Sequence, residues 1–417
     1  MDITFTQGVP HISLRHLKAM LYVARHKNLT RAAAVLNRSQ TTITKAIGEL
    51  ETQLGLPLFE RTPGGMLPTR YGDCLASWVA LAEAEFLNAG RIYRDYRNSS
   101  ADASNLPIFS MTISYKRLAS FIALYDHRDV RVASEQLEVT PAAVSGAVRQ
   151  IEDLLELSLF ERGPGSTDCT PFCEHLARHI KLAFAQLRHG LDELASLDGN
   201  VRGSVAIGTL PYTRTVLIPR AINRLLATYP ELQVSTSEGR YTQLEVALRS
   251  GDLDCIVGAT RPAIDDKGLC GETLLEDQLA IIVRCGHPLI RRSNLTLADL
   301  MDYRWILPAR HTPAHFLFRQ LLQEHTLPEP HKSVETSSLS TVRGLLLESD
   351  SVALLSEHQI YFEQQSGVLT VLPVALEKTS RPIGVTTRAH ARLSPATELF
   401  LRELRAVAAE FPDAMPG

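Results

Sequence analysis

Thr30-Arg31-Ala32-Ala33-Ala34-Val35-Leu36-Asn37-Arg38-Ser39-Gln40-Thr41-Thr42-Ile43-Thr44-Lys45-Ala46-Ile47, followed by Leu58-Phe59-Glu60-Arg61, is the stretch on which the fold of this 417-residue chain turns. Ala32, Ala33 and Leu36 recur at helical spacing, Asn37-Arg38 interrupts them, and a second periodic run passes through Ile43, Ile47, Leu50 and Leu54. Apolar residues three and four apart share one face of a helix. Thr30 is read as the cap of a short helix over 31–36 and Ser39 as the cap of a longer one from Gln40, because their hydroxyls accept otherwise unpaired N–H groups. Gly55 and Pro57 close the longer helix, and Pro63-Gly64-Gly65 marks a loop after Phe59. Upstream, Leu14, Leu17, Leu21 and Ala24 mark an earlier helix. Three helices with a sharp turn between the second and third, then a wing-like loop, is a helix-turn-helix plan, whose last helix enters the DNA major groove.

The same plan is written again at a constant offset of 101 positions. Leu17 meets Leu118, Ala32 meets Ala133, Leu36 meets Leu137 and Ala46 meets Ala147. Glu51 meets Glu152, Leu54 meets Leu155, and Leu58-Phe59-Glu60-Arg61 meets Leu159-Phe160-Glu161-Arg162, with no gap. A repeat of this length sets the architecture. In the second copy Leu118, Phe121 and Leu124 face inward and Val132 to Leu137 reads as the short helix. Thr140 caps the next helix, with Pro141 at the first helical position, where a missing N–H costs nothing; it runs on through Val144, Val148 and Ile151 to Leu155. Each copy is followed by a long Ala- and Leu-rich helical pattern, 71–97 and 172–197. The resulting boundaries are 11–70 and 112–171 for the two winged modules, with 98–111 as a polar linker.

From Gly203 the pattern changes to alternating strand and helix signals, the mark of an α/β domain with parallel pairing. Strands are expected at Ser204–Thr209, Leu232–Ser237, Asp254–Gly258, Leu279–Arg284 and Trp305–Leu307. Helices are expected at Arg220–Tyr229, Gln243–Ser250, Phe316–His325, Ser340–Glu348 and Pro395–Phe411. This domain spans 202–417. Its chain crosses between lobes near Ala259–Ile264 and again near Gly367–Val371, giving one lobe of 202–263 and 371–417 and another of 264–370.

Composition agrees with a multidomain globular protein. Hydrophobic residues make up 45% and charged residues 21%, and the net charge of -3 confines any basic footprint to part of the chain. Roughly 100–200 residues per domain suggests two to four domains. The start, MDITFTQGVP, lacks the basic and apolar run of a signal peptide, and no apolar stretch has membrane-spanning length, so a soluble cytoplasmic protein is expected. Cys74, Cys169, Cys173, Cys255, Cys270 and Cys285 form no disulfide framework or zinc pattern and read as buried or incidental thiols. No G-x-S-x-G elbow is present, and His287 and His311 are lone histidines in loops. No enzyme, metal or cofactor is therefore expected.

The stretch Thr30-x-Ala32-Ala33-x-x-Leu36 to Ser39-Gln40, then Ile43-Thr44 to Leu50-Glu51 and Leu54-Gly55 to Leu58-Phe59-x-Arg61, resembles the N-terminal module of LysR-type transcriptional regulators. The resemblance covers nearly the whole chain. It implies winged helix-turn-helix modules with long linker helices, then a two-lobed α/β effector domain like type 2 periplasmic binding proteins. Gly208-Thr209-Leu210-Pro211, Ile306-Leu307-Pro308 and Val334-Glu335-Thr336-Ser337-Ser338 resemble a subgroup controlling aromatic-acid and sugar catabolism. The family carries one DNA-binding module where this chain carries two.

Charge separates the copies. Residues 11–70 hold 9 Lys+Arg against 3 Asp+Glu, whereas residues 112–171 hold 6 against 9. Phosphate neutralisation supplies most non-specific affinity, so this change of sign bears directly on DNA binding. The first module offers Thr30, Arg31, Arg38, Ser39, Gln40, Thr41, Thr42, Thr44, Lys45 and Arg61 to bases and phosphates. Where the first recognition helix has Gln40, Thr41, Thr42, Thr44 and Lys45, the second has Pro141, Ala142, Ala143, Ser145 and Gly146. Two readings of the second module stay open: a packing scaffold, or direct DNA contact through Arg131, Thr140, Ser145, Arg149 and Arg162.

In an open α/β domain a ligand lies beyond the C-terminal ends of strands. Thr209, Pro211, Tyr212 and Thr213 follow the first strand, His311 and Thr312 follow a later one, and Thr336, Ser337 and Ser338 precede a helix. Hydroxyls and free helix N–H groups suit a small anionic metabolite, with Arg214 adding charge. The expected function is metabolite-modulated binding to double-stranded DNA, by a homodimer or homotetramer paired through the long helices. Leu75, Val79, Ala82 and Phe86, and Leu176, His179, Ala183 and Leu187, are the faces that need burial. The alternative is an antagonist acting on another regulator through the degenerate second module.

Overall fold

The computed structural model describes residues 12–63, 65–98, 103–163, 166–199, 201–260 and 268–411, with the backbone alone at 5–6, 9–10, 162–163 and 166–167. The chain forms two compact units, one comprising residues 1–203 with 250–252 and the other 204–249 with 253–417.

In the first unit a two-strand ribbon, β1 (Phe5–Thr6) and β2 (Val9–Pro10), precedes α1 (Leu14–His26), α2 (Leu29–Val35) and α3 (Gln40–Leu54). The hairpin β3 (Phe59–Thr62) and β4 (Gly65–Pro68) follows, then the long α4 (Arg70–Arg97). The order recurs as α5 (Tyr115–His127), α6 (Val130–Gln136), α7 (Pro141–Leu155), β5 (Phe160–Gly163), β6 (Ser166–Cys169) and α8 (Pro171–Ser196). Of the polar linker, Ala103–Asn105 is a single 3-10 turn, and 99–102 lie outside the described residues.

The repetition extends to single hydrogen bonds. Ser39 caps α3 by accepting from Thr42 N at 3.2 Å, and Thr140 caps α7 by accepting from Ala143 N at 3.2 Å. Glu51 Oε1 accepts from the N–H groups of Leu58 and Phe59 at 2.7 and 3.1 Å; Glu152 Oε1 does the same for Leu159 and Phe160 at 2.8 and 3.4 Å. A carboxylate bonded to two N–H groups pins the entry to each hairpin. One expectation is corrected. The cap of α2 is Asn28, which accepts from Arg31 N at 3.0 Å, and that of α6 is Asp129, which accepts from Arg131 N at 2.7 Å, so both helices begin earlier than expected. Asn and Asp outrank Thr at this position because their side-chain oxygen reaches the N2 and N3 donors readily. Gly65, at φ +135°, lets the wing lie against the carbonyl of Lys27, where a Cβ would collide with backbone.

The second unit is built on one nine-stranded sheet. Its strands are β7 (Gly203–Thr209), β8 (Leu232–Glu238), β9 (Cys255–Ala259), β10 (Leu269–Arg284), β11 (Arg304–Leu307), β12 (Ser333–Glu335), β13 (Ser351–Ser356), β14 (Leu369–Leu372) and β15 (Ser380–Arg388). The spatial order is β12-β11-β13-β10-β15-β9-β7-β8, with β14 also on β10. Helices α9 (Leu217–Thr228), α10 (Tyr241–Ser250), α11 (Pro313–Glu324), α12 (Leu339–Glu348), α13 (Tyr361–Gln365) and α14 (Pro395–Ala408) complete it. The pleat sorts side chains to two faces. Ile281, Val283, Trp305, Leu307, Val352 and Leu354 join the core that includes Phe318 of α11, whereas Ile282, Ile306, Ala353 and Leu355 join that of Val342 and Leu346 on α12.

Four expectations change here. The sheet is mixed: β7–β9, β11–β12 and β11–β13 are parallel, but β10 runs antiparallel to β13, β14 and β15, and β15 antiparallel to β9. The strand read at Leu279–Arg284 is the second half of β10, and the polar residues of its first half disguised it. Pairing along β10 passes from β15 (269–278) to β13 (279–282), so the first crossing between lobes lies in the middle of that strand, near Asp277. The earlier position at 259–264 falls largely on residues outside those described. Leu369–Leu372 still pairs within the second lobe, so the return falls after residue 372, not at 367–371.

Candidate nucleic-acid interface and effector lobes

The N-terminal residues of α3 stand on the protein surface. Thr30, Arg31, Arg38, Ser39, Gln40, Thr41, Thr42, Lys45 and Arg61 are exposed and Thr44 is half-buried. Gln40 Nε2 donates to Thr30 Oγ1 at 3.0 Å, which clips the start of α3 to α2 and orients the amide. Ser39 Oγ lies 2.8 Å from both Thr41 Oγ1 and Thr42 Oγ1. Lys45 meets Glu49 at 3.7 Å with its side chain 79% exposed, a surface pair of small energy that leaves the ammonium accessible.

Other cations of this half are engaged by the protein itself. Arg15 Nε donates to Thr112 O at 2.6 Å and Lys18 Nζ to Ser110 O at 2.8 Å, so both bind the stretch leading into the second copy. Arg25 pairs with the buried Glu83 of α4 at 2.6 Å, and Arg70 with Asp198 at 2.7 Å. Lys27, Arg31, Arg38, Lys45 and Arg61 are exposed.

The long helices α4 and α8 pack antiparallel against each other within the chain. Trp78 stacks edge-on to His189, its Nε1 donates to Glu193 at 2.7 Å, and its ring base lies over Gly190, where a Cβ would come within 2.6 Å. His179, the repeat counterpart of Trp78, meets Glu85 at 2.7 Å. Phe172, the counterpart of Tyr71, lies 5.6 Å from the Tyr93 ring, while the Tyr71 hydroxyl donates to Asp198, the counterpart of Arg97. Antiparallel packing of two helices that repeat each other is what an approximate two-fold axis produces. A cavity of about 410 Å³ lined by Ile12–Arg15 and by Ile113–Arg117, two segments equivalent in the repeat, straddles that axis. One continuous core joins both copies. The expectation that these helix faces pair between chains is thereby corrected. Leu75, Val79, Ala82, Phe86, Leu176, Ala183 and Leu187 are buried and His179 half-buried within one chain.

The second copy keeps the scaffold and changes the face. Arg131, Thr140 and Arg149 are exposed and Ser145 is half-buried; the side chain of Arg162 lies outside the described residues. At the positions of Arg31 and Arg38 stand Val132 and Val139, 43% and 44% exposed. Pro141, Ala142 and Ala143 are exposed on α7 beside them, and Glu135 and Glu138 lie close in sequence.

The residues expected to bind an effector fall into two clusters, one in each lobe. After β7, Thr209 is buried: its hydroxyl donates to Ser237 O at 3.4 Å and accepts from Arg214 Nε at 3.3 Å, and Arg214 also pairs with Glu238 at 2.9 Å. Thr213, fully buried, donates to Leu210 O and Val257 O, both at 3.1 Å, so its hydroxyl serves the fold. Pro211 opens the 3-10 turn that carries Tyr212. In the other lobe His311 is exposed, Thr312 caps α11 and Ser338 caps α12. Thr336 N donates to Leu307 O at 3.0 Å, which brings the two loops together, and Ser337 is exposed.

Between these clusters, at the mid-point of β10, lies a group that sequence reading missed. Asp277, buried, accepts from Arg381 at 2.9 and 3.0 Å and from Ser356 Oγ at 2.5 Å. Burial raises the Asp277 carboxyl above its ordinary range, and Arg381 pulls it back. The Tyr212 ring stacks against His358 at 5.9 Å and lies 5.8 Å from the Arg381 guanidinium. Burial also raises the Tyr212 hydroxyl, which has no hydrogen-bond partner among the described residues. Asp277 and Arg381 are 104 positions apart, so only sheet pairing reveals them. Asn28 and Asp129, also missed, carried a signal: cap-forming residues at one register of the repeat.

The thiols of Cys169 and Cys173 lie 3.0 Å apart, and burial pushes that of Cys173 up to about 12, which leaves little thiolate. Among the described residues there is no cluster of His, Cys, Asp and Glu able to hold a metal, and no helix long and apolar enough to cross a membrane.

A basic three-helix reading head followed by a two-lobed domain defines a DNA-binding transcriptional regulator with an effector domain. The LysR substrate binding domain profile matches residues 198–409, and that of bacterial regulatory helix-turn-helix proteins of the lysR family matches twice, at 14–73 and 115–174. The chain belongs to the LysR family. The HTH-type transcriptional regulator GalR of Pseudomonas putida is 33% identical over 398 residues, 95% of this chain and 98% of the relative. PcaQ of Agrobacterium fabrum is 29% identical over 301 residues, which is 97% of its length but 72% of this chain. The fold is shared with a full-length OxyR variant from Pseudomonas aeruginosa, at TM-score 0.54 and 21% identity over 73% of this chain and 99% of that one.

Proposed function

We propose that this chain is a transcriptional regulator whose DNA affinity resides chiefly in the first of two winged helix-turn-helix modules and is modulated by a small, anionic metabolite held between the lobes of the C-terminal domain. One observation carries the reading. The exposed face around α3 combines Arg31, Arg38, Lys45 and Arg61 with the hydroxyls and amide of 39–42, whereas the equivalent face of the second copy lacks most of them. Cations beside groups that bond base edges are what major-groove recognition requires.

The metabolite reading rests on the lobe arrangement. Thr336, Ser337, Ser338, His311 and Thr312 edge one lobe, and Thr209 with the unpartnered Tyr212 hydroxyl edges the other. A ligand bound to both edges favours one lobe arrangement and so shifts the population of DNA-binding geometries. A homodimer or homotetramer of this chain is built on surfaces other than the α4 and α8 faces, which fill one another. The test is genome-wide footprinting with and without a panel of carboxylate metabolites. Discrete footprints that one carboxylate alters support the reading, and uniform salt-sensitive coating of DNA with no discrete site overturns it.

A further inference from the structure

The faces of α3 and α7 are mates across the pseudo-two-fold axis, yet they present different chemistry. We infer that a single chain spans two neighbouring half-sites and reads them differently: α3 by hydrogen bonds to base edges, α7 by apolar contact with thymine methyl groups. The inference rests on the DNA-binding reading above and extends it to the second copy.

Three observations carry it. The scaffold of the second copy is kept down to the Glu152 and Thr140 hydrogen bonds, so α7 is held on its α5–α6 base as α3 is held on its own. Antiparallel packing of the repeat-equivalent α4 and α8, with the cavity between equivalent segments at the starts of α1 and α5, relates the two heads approximately as a symmetric dimer relates its subunits. In such dimers the two recognition helices enter successive major grooves, about one helical turn apart. The exposed end of α7 and the turn before it then offer Val132, Val139, Pro141, Ala142 and Ala143. In the major groove an apolar side chain distinguishes thymine by its C5-methyl, and small residues permit close approach. Arg131 and Arg149 flank this patch and supply phosphate contacts, while Glu135 and Glu138 keep the overall affinity of this half low. The occupant is therefore a thymine-rich half-site adjoining the one that α3 reads. The DNA site of one chain is asymmetric, although its reading heads are arranged symmetrically.

The experiment selects binding duplexes from a random 40-base-pair library with the full-length chain, then replaces thymine by deoxyuridine in one half-site at a time. Deoxyuridine keeps base pairing and removes only the methyl. The expected profile has a half with mixed base preferences and, about one turn away, a thymine-rich half, with one chain for each such pair of half-sites. Deoxyuridine in the thymine-rich half weakens binding about four-fold per contacted methyl, the equivalent of burying one such group. Ala142→Glu, an exposed change that leaves the core untouched, abolishes that sensitivity and retains binding to the other half. A palindromic pair of half-sites shared by two chains, or insensitivity of the second half to both deoxyuridine and Ala142→Glu, overturns the inference while DNA binding stands. Failure to enrich any sequence removes the DNA-binding reading and this inference with it.

Discussion

Lys45 and Arg61 show how much weight single exposed cations carry. Neither is held in a buried ion pair, so replacing either by Ala leaves the fold intact and removes one counterion-releasing contact. Each substitution is expected to lower the slope of log affinity against log salt by about one, as measured by fluorescence anisotropy across a salt series. An equal fall from Arg131→Ala and Arg149→Ala, with none from the first pair, would reverse the ranking of the modules. Asp277 belongs to the opposite regime. Its carboxylate is 2% exposed and holds Arg381, 9% exposed, so Asp277→Asn leaves a buried guanidinium without its counter-charge. Removing one partner of a buried pair costs about 3–5 kcal/mol. Urea unfolding of the C-terminal domain is expected to show a loss of that order, and one below about 1 kcal/mol, the level of an exposed pair, would mean that water reaches the pair.

At the scale of elements, the antiparallel contact of α4 and α8 turns two repeated modules into one body. Trp78 fits because position 190 is glycine: the equivalent residue in the first copy is Ala89, and a Cβ at 190 would come within 2.6 Å of the Trp78 Cβ and 2.9 Å of its indole. Gly190→Val is therefore expected to destabilise the N-terminal unit by about 1–3 kcal/mol through overpacking, and Trp78→Ala by about 3–5 kcal/mol through a cavity. Because the contact lies inside one chain, the denaturation midpoint of either variant should not change with protein concentration. A midpoint that rises with concentration would show that the helices exchange between chains. These faces also mark where periodicity stops being informative. Leu75, Val79 and Ala82 were legible as a stripe that needed burial, but a stripe does not say whether its partner is another molecule or a helix about a hundred positions along the same one.

For the whole molecule, the C-terminal lobes and the reading heads must be linked if a metabolite is to alter DNA binding. Thr336→Val removes a half-buried hydroxyl that already accepts from Ser338 N at 3.1 Å, so a modest loss of loop order accompanies any loss of ligand contact. Tyr212→Phe removes a buried hydroxyl that bonds nothing among the described residues. The double variant is expected to keep ligand-free DNA affinity within about two-fold while losing the thermal shift produced by the carboxylate that alters the footprint. An unchanged thermal shift and an unchanged footprint response would place the effector elsewhere.

Local pattern by itself determined the two helix-turn-helix plans, their long helices and the change to α/β structure after Gly203, because caps, turns and apolar spacing act over a few residues. The sign of charge on each copy was equally legible, since it needs only counting. Tertiary structure alone decided that α4 meets α8 and that Arg15 and Lys18 face the second copy. It also decided that β10 runs unbroken through both lobes and that Asp277 meets Arg381 across the sheet. The physical reason is common to all four. Each depends on a partner roughly a hundred positions away or on cross-strand pairing, and side-chain chemistry specifies what a residue needs without specifying which distant segment supplies it.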